Sequence, residues 1–266
     1  MSTRPIGVFD SGIGGLTVVH EILRQLPGES IVYFGDTARV PYGPKSPDTV
    51  ARYSGEIAGF LCAEGVKAVV VACNTATAHA LPMLRDRLPV PVLGVVEPGA
   101  TAAVRASRGG HIGVIGTAGT IRSGAYERAI HAIDPEARVT VRACPLLVPL
   151  IEEGWIDHPV TRQVVREYLA PLVRDEIDAL VLGCTHYPLL KELLCRELGA
   201  GVALIDSAAE TAAETGRLLL NRGMAADDSA TPVLRFIASD DPLQFLQLGQ
   251  RFFGDAIEGV EIHTFV

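Results

Sequence analysis

Val70-Val71-Ala72-Cys73-Asn74-Thr75 (residues 70–75) is echoed 111 positions later by Val181-Leu182-Gly183-Cys184-Thr185-His186 (residues 181–186). In each copy an uninterrupted apolar run ends in a cysteine, followed at once by side chains that hydrogen-bond. Runs that are apolar throughout, rather than alternating, suit strands of a parallel sheet covered on both faces. Working outward, further echoes keep the same order. Ile6-Gly7-Val8 matches Ile112-Gly113-Val114 at an offset of 106, and Val40-Pro41 matches Val148-Pro149 at 108. Leu93 and Leu204 keep the offset of 111. Apolar strands look alike, so one echo could be chance, but four in one order favour an internal duplication. The chain therefore reads as two similar α/β domains.

The segments between the echoes agree. Residues 5–10, 30–34, 68–72 and 90–96 read as strands, and 14–25, 47–65 and 76–87 have helical length and apolar spacing. Strand–helix alternation of this kind gives an α/β fold with mostly parallel sheets. Past Asp206 a helix is expected over about 208–221, then a polar stretch over 223–232 read as a mobile loop. A strand (233–238), a helix and a last strand (260–266) follow. Ser239-Asp240-Asp241-Pro242 supplies that helix with a cap and an early proline. These elements lie outside both repeat copies, and the residues alone leave open whether they return to the first sheet.

At 266 residues the chain is long for one core and comfortable for two. Aromatic residues make up only 6% of it, so Val, Leu, Ile and Ala must do the packing. The net charge is 23 − 31 = −8, with no dense Lys/Arg cluster, which argues against nucleic acid or an anionic membrane as partner. The start runs straight into a strand-like segment without an apolar leader, and no apolar run approaches the ~20 residues of a membrane span. The expected location is cytoplasmic. Five cysteines, an odd number, then point to free thiols rather than a disulfide framework.

Ligands of parallel α/β sheets bind beyond the C-terminal ends of the strands. Asp10-Ser11, Cys73-Asn74-Thr75, Thr117 with Thr120, and Cys184-Thr185-His186 all fall there. A free cysteine is commonly a small buried hydrophobe. Cys62 and Cys195, inside helical patterns, read that way; Cys144, before Pro145, is undecided between packing and chemistry. Cys73 and Cys184 differ because they share a place in the repeat. Two equivalent thiols suit racemisation, which removes a proton from one face of a carbon and returns one to the other. A thiol titrates near ~8.5, within reach of activation by a neighbouring acid–base group. Asp10 and His186 are the candidates, although His186 could instead make a structural hydrogen bond near Pro188.

Other chemistries find less support. The turn Asp10-Ser11-Gly12-Ile13-Gly14-Gly15 can bring backbone amides to an anion, but it is neither G-x-G-x-x-G nor a P-loop. A small carboxylate suits it better than a nucleotide. Cys184-Thr185-His186 lacks metal-ligand spacing, and G-x-S-x-G is absent. No lysine stands in a marked Schiff-base context, which leaves pyridoxal phosphate open on residues alone.

Together these motifs resemble the glutamate racemase family. The resemblance runs along nearly the whole chain: residues 10–15, Gly35-Asp36 through Pro41-Tyr42-Gly43, Ala72 to Ala76, and Gly183 to Pro188. Gly116-Thr117 with Thr120, Ser123 and Tyr126, and Pro149-Leu150 with Glu152 and Gly154, fit further signatures. The resemblance implies interconversion of L- and D-glutamate without a cofactor or metal, supplying D-glutamate for peptidoglycan. It implies that Cys73 acts on the proton of the D-enantiomer and Cys184 on that of the L-enantiomer, assisted by Asp10 and His186 respectively. Glu152 and Asp36 match acidic positions of the family. Ser11, Tyr42 and Gly43 would hold the side-chain carboxylate. Asn74, Thr75, Thr117 and Thr185 would hold the α-amino and α-carboxylate ends.

The family fold places the site in a cleft between two α/β domains, with the C-terminal segment packed on the first. The expected division is thus 1–97 plus 208–266 against 98–207. Family members are often homodimers. The short stretch before the first strand lacks the extension seen in members activated by a peptidoglycan precursor, which argues against that control. Two rivals stay open: an aspartate or hydantoin racemase, which shares the fold and paired cysteines, and a two-lobed amino-acid binding protein without chemistry. The Thr185-His186 tail and the Asp10-Ser11 motif favour glutamate over the first. The paired thiols and the absence of an export signal argue against the second.

Overall fold

The computed structural model describes residues 2–253 and 257–265, and the side chains of all of these except 251–253. Its first half opens with β1 (Ile6–Asp10), α1 (Leu16–Gln25), β2 (Ile31–Gly35), α2 (Pro47–Ala63), β3 (Ala68–Val71), α3 (Asn74–Arg87) and β4 (Val92–Gly94). After α4 (Val96–Ala106) come β5 (His111–Gly116), α5 (Ala118–Arg122), α6 (Ala125–Ile133), β6 (Arg138–Ala143) and α7 (Leu147–Glu152). Then follow α8 (Pro159–Arg174), β7 (Ala179–Gly183), α9 (Lys191–Leu198) and β8 (Ala203–Ile205). The chain closes with α10 (Ser207–Asn221), β9 (Leu234–Ala238), α11 (Pro242–Phe253) and β10 (Glu261–Ile262).

Two parallel sheets result. One runs β10-β9-β2-β1-β3-β4 and the other β6-β5-β7-β8. The second repeats the order β2-β1-β3-β4 of the first, so the duplication read from the echoes is a duplication of topology. The registers repeat too: Val8 pairs with Val70 and Val114 with Val181. The central strands β1, β3, β5 and β7 are buried along their full lengths, as their unbroken apolar runs require. Beyond the repeat, β9 pairs with β2 from Ile31↔Leu234 to Gly35↔Ala238, so the C-terminal segment returns to the first sheet.

Some boundaries differ from those expected. The strand expected at 90–96 is only β4, and its last residue starts α4. An apolar run does not by itself distinguish strand from buried helix, and Glu97 and Pro98 suit the first helical turn. The last strand is reduced to two residues, because His263 and Phe265 leave it to pack their rings near Phe60 and Phe34; Val266 lies outside the described residues. Helix α3 starts two residues earlier than expected, which makes Cys73 its N-cap. Over 223–232 the backbone forms neither helix nor strand, as expected. It is tied down by Lys67, whose buried ammonium donates to the carbonyls of Ser2 and Met224 and pairs with Glu29 at 2.5 Å.

Candidate active site

Every strand that carries a suspected residue delivers it at its C-terminal end. Asp10 closes β1 and is fully buried. Its carboxylate accepts a hydrogen bond from Gly12 N (2.9 Å) and another from Thr185 Oγ1 (3.4 Å). The glycine turn therefore directs an amide onto the chain's own carboxylate. Burial raises the pKa of Asp10, against the opposing charge of His186 and the backbone amides of Gly12, Gly15 and Ser11. Tyr33, buried under the turn, donates its hydroxyl to Gly12 O (2.8 Å) and fixes the loop.

Cys73 caps α3, its Sγ accepting from Ala76 N (3.4 Å) and bonding with Ser11 Oγ (3.7 Å). Burial, and then the charge of Asp10, push its thiol up to about 12. Asp10 thus acts on Cys73 through its charge, and Ser11 is the side chain in hydrogen-bond contact. Asn74 follows: its Oδ1 accepts from Tyr126 Oη (2.7 Å), while its buried Nδ2 has no hydrogen-bond partner.

In the second half Cys184 directly follows the equivalent strand β7, with its Sγ 3.9 Å from His186 Nδ1. The other ring nitrogen of His186 lies 3.0 Å from Glu152 Oε1, at the end of α7. Burial works to lower the pKa of His186, but the contacts with Cys184 and Glu152 and the charges of Cys184 and Asp10 prevail. The imidazole is pushed up to about 10, so a cation stands beside Cys184 at neutral pH. Glu152 is half-buried and joins His186 to the wider cleft.

Threonines close the seam between the halves. Thr75 Oγ1 lies 2.8 Å from Thr117 Oγ1 and 3.2 Å from Thr120 Oγ1, and the latter two are 3.0 Å apart. Beneath them is a tight cavity of about 30 Å3, lined by Cys73, Cys184, Asn74, His186 and Tyr42 among others. Ser11, Gly43, Thr75, Thr117 and Thr185 complete its polar wall. Beside it lies a larger cavity of about 340 Å3, walled by the echo pairs Val40-Pro41 and Val148-Pro149, with Cys144 and Glu152.

Of the expected residues, Ser11, Tyr42, Gly43, Cys73, Asn74, Thr75, Thr117, Cys184, Thr185 and His186 line the small cavity, and Asp10 and Glu152 touch it through Thr185 and His186. Asp36 lies behind the wall, bonded to Tyr42 Oη. Two contributors carried no assigned role in the sequence reading. Tyr126 and Thr120 belong to a recognised motif, yet nothing in their spacing announced that they cross the seam. Cys144 is buried in the core of the second half, with its Sγ donating to Arg142 O at 3.6 Å. Cys195 is exposed, contrary to expectation: α9 packs through Leu193 and Leu194, and position 195 falls on the outer side.

Residues 6–215 match the family described as Asp/Glu/Hydantoin racemase. The chain belongs to this racemase family. A glutamate racemase of Neisseria meningitidis serogroup A is 53% identical over 260 residues, covering 97% of this chain and 96% of that protein. Among solved structures, the glutamate racemase isoform RacE1 from Bacillus anthracis superposes with a TM-score of 0.94 at 44% identity, covering 100% of this chain and 98% of that one. The glutamate racemase of Francisella tularensis in complex with D-glutamate gives a TM-score of 0.92 at 38% identity, covering 99% and 98%. Among the described residues of this racemase, no helix is long and apolar enough to cross a membrane.

Proposed function

We propose that the chain racemises glutamate by a cofactor-independent two-base mechanism, with Cys73 and Cys184 as the bases. The supporting observation is their equivalence: each thiol follows the same strand of the repeated sheet, and both line one cavity. From L-glutamate, the Cys184 thiolate takes the Cα proton while the Cys73 thiol delivers one to the opposite face. From D-glutamate the roles reverse. His186, held by Glu152, stabilises the thiolate of Cys184. Asp10 biases Cys73 toward its thiol, the form that donates.

The substrate's charged ends need matching donors. Ser11 and the Tyr42-Gly43 segment suit the side-chain carboxylate. Asn74 Nδ2, a buried donor without a protein partner, suits the α-carboxylate, since such a group is costly to leave unpaired. Thr75, Thr117 and Thr185 complete the α-amino and α-carboxylate contacts. The halves that bring these groups together are 1–97 with 208–266 and 98–207. The named relatives favour glutamate over aspartate, and D-glutamate made in the cytoplasm would serve peptidoglycan synthesis. A homodimer is the expected assembly.

The test supplies D- and L-glutamate separately in heavy water, without added cofactor, and follows optical rotation and deuterium at Cα. Inverted product carrying solvent deuterium is the expected result, with aspartate turned over poorly. Cys73→Ala and Cys184→Ala should each lower racemisation by about 10³-fold or more with the fold retained. Full activity in either variant would sink the two-base mechanism. No exchange by folded, reduced protein would favour the binding-protein reading.

A further inference from the structure

Tyr42 lines the cavity, and its hydroxyl donates to Asp36. Asp36 is fully buried and already occupied on every side. Its carboxylate accepts from Arg39 Nε (2.8 and 3.0 Å) and from Ser239 Oγ (2.8 Å) as well. Arg39 continues outward to pair with Glu56. Its guanidinium lies between two rings, with its carbon 4.1 Å from the centroid of Tyr53 and 4.7 Å from that of Phe265. Phe265 in turn rests against Phe34 of β2, with ring centroids 5.4 Å apart. A continuous chain of contacts thus runs from the C-terminal tail to the loop at the cleft.

We infer that Arg39 and Phe265 are positioning residues for the Val40–Gly43 loop, acting on substrate affinity through Asp36 and Tyr42. This rests on the reading that the loop holds the side-chain carboxylate. The Nε of Arg39 donates to both oxygens of Asp36 and its Nη1 to Glu56, so the guanidinium is held between two carboxylates, and Asp36 in turn fixes the tyrosine hydroxyl. The two rings keep the guanidinium from swinging toward solvent. The same Asp36 thereby serves as a structural anchor and not as a proton carrier for either thiol. Ser239 ties this anchor to the end of β9, its Oγ also accepting from Ala38 N at 2.9 Å. The returning C-terminal segment, remote from the reacting carbon, is in this way part of the scaffold of the substrate site.

The loop touches the end of the substrate that does not react, so its loosening should appear in KM and leave kcat in place. Phe265→Ala should raise KM for D- and L-glutamate alike by about two- to fivefold, the range of one lost cation–π contact, with kcat within about twofold. Phe265→Tyr, which keeps a ring over the guanidinium, should restore the parent KM. Phe265→Leu keeps apolar packing against Phe34 and guards against simple unfolding; it should behave like the alanine variant. Arg39→Lys keeps a charge but cannot reach Asp36 and Glu56 at once from between the two rings, and should raise KM further than Phe265→Ala does. An unchanged KM in folded Phe265→Leu, or a fall in kcat with KM unmoved, would overturn the positioning role. Because the parent enzyme is assayed alongside, absence of racemisation there would instead overturn the functional reading on which the inference rests.

Discussion

Cys73 and Cys184 occupy equivalent places in the repeat and meet opposite electrostatics. Asp10, a buried carboxylate, faces the first, and the cationic His186 faces the second. The thiolate is the nucleophile toward alkylating agents. Iodoacetamide at neutral pH should therefore modify Cys184 before Cys73, as followed by peptide mass spectrometry, with exposed Cys195 as the internal control. Faster labelling of Cys73 would reverse the proposed resting state. The thiols, Asp10 and His186 were legible in the sequence because each follows a strand and carries recognisable acid–base chemistry. Asn74 was legible as a residue, whereas its unpaired Nδ2 depends on Tyr126 occupying the other end of the amide, 52 positions away. Arg39 and Phe265 gave no signal, since a guanidinium between two rings has no sequence spacing of its own.

At the scale of elements, the turn between β1 and α1 sets how closely the halves can meet. A Cβ at Gly14 would sit on Thr185 Oγ1 and 2.5 Å from His186 Nδ1. Gly14→Ala should displace the imidazole from Cys184 and lower kcat/KM by about 10²-fold, the scale of a 1 Å misplacement in a catalytic group. Gly12→Ala is the comparison: its Cβ would lie 3.5 Å from Val40 Cγ2, an ordinary contact, and the loss should be much smaller. Equal losses in the two variants would assign the effect to loop stiffness alone. The helices and strands of the first half were legible where polar caps bound them, as at Ser46 before α2, whose side chain accepts from Thr49 N. Over residues 90–96 the sequence does not mark where β4 gives way to α4, because Val-rich chain feeds directly from one into the other with no polar break.

At the scale of the molecule, the repeat predicted two similar α/β domains, and the order β2-β1-β3-β4 of the first sheet recurs as β6-β5-β7-β8 in the second. Apolar runs reveal sheet-forming strands, and their spacing reveals the duplication. How the two halves close on each other was not legible. The contacts that join them, Thr75 with Thr117 and Thr120, Tyr126 with Asn74, and Thr185 with Asp10, lie between residues far apart in sequence and without periodicity. The return of β9 beside β2 left a trace only as elements outside the repeat.

The hydroxyl contacts across the seam, over a cavity of about 30 Å3, have a kinetic consequence. The small cavity has too little room for an amino acid of glutamate's size, so the contacts across the seam are expected to part for entry and release, as motions of large bodies through solvent. Such motions feel friction, whereas proton transfer inside the closed cleft does not. Turnover should therefore slow as sucrose raises the viscosity of the medium. A large polymer, which thickens the solution without adding friction at the molecular scale, should leave it unchanged. Insensitivity to sucrose would place the slow step at the thiols themselves.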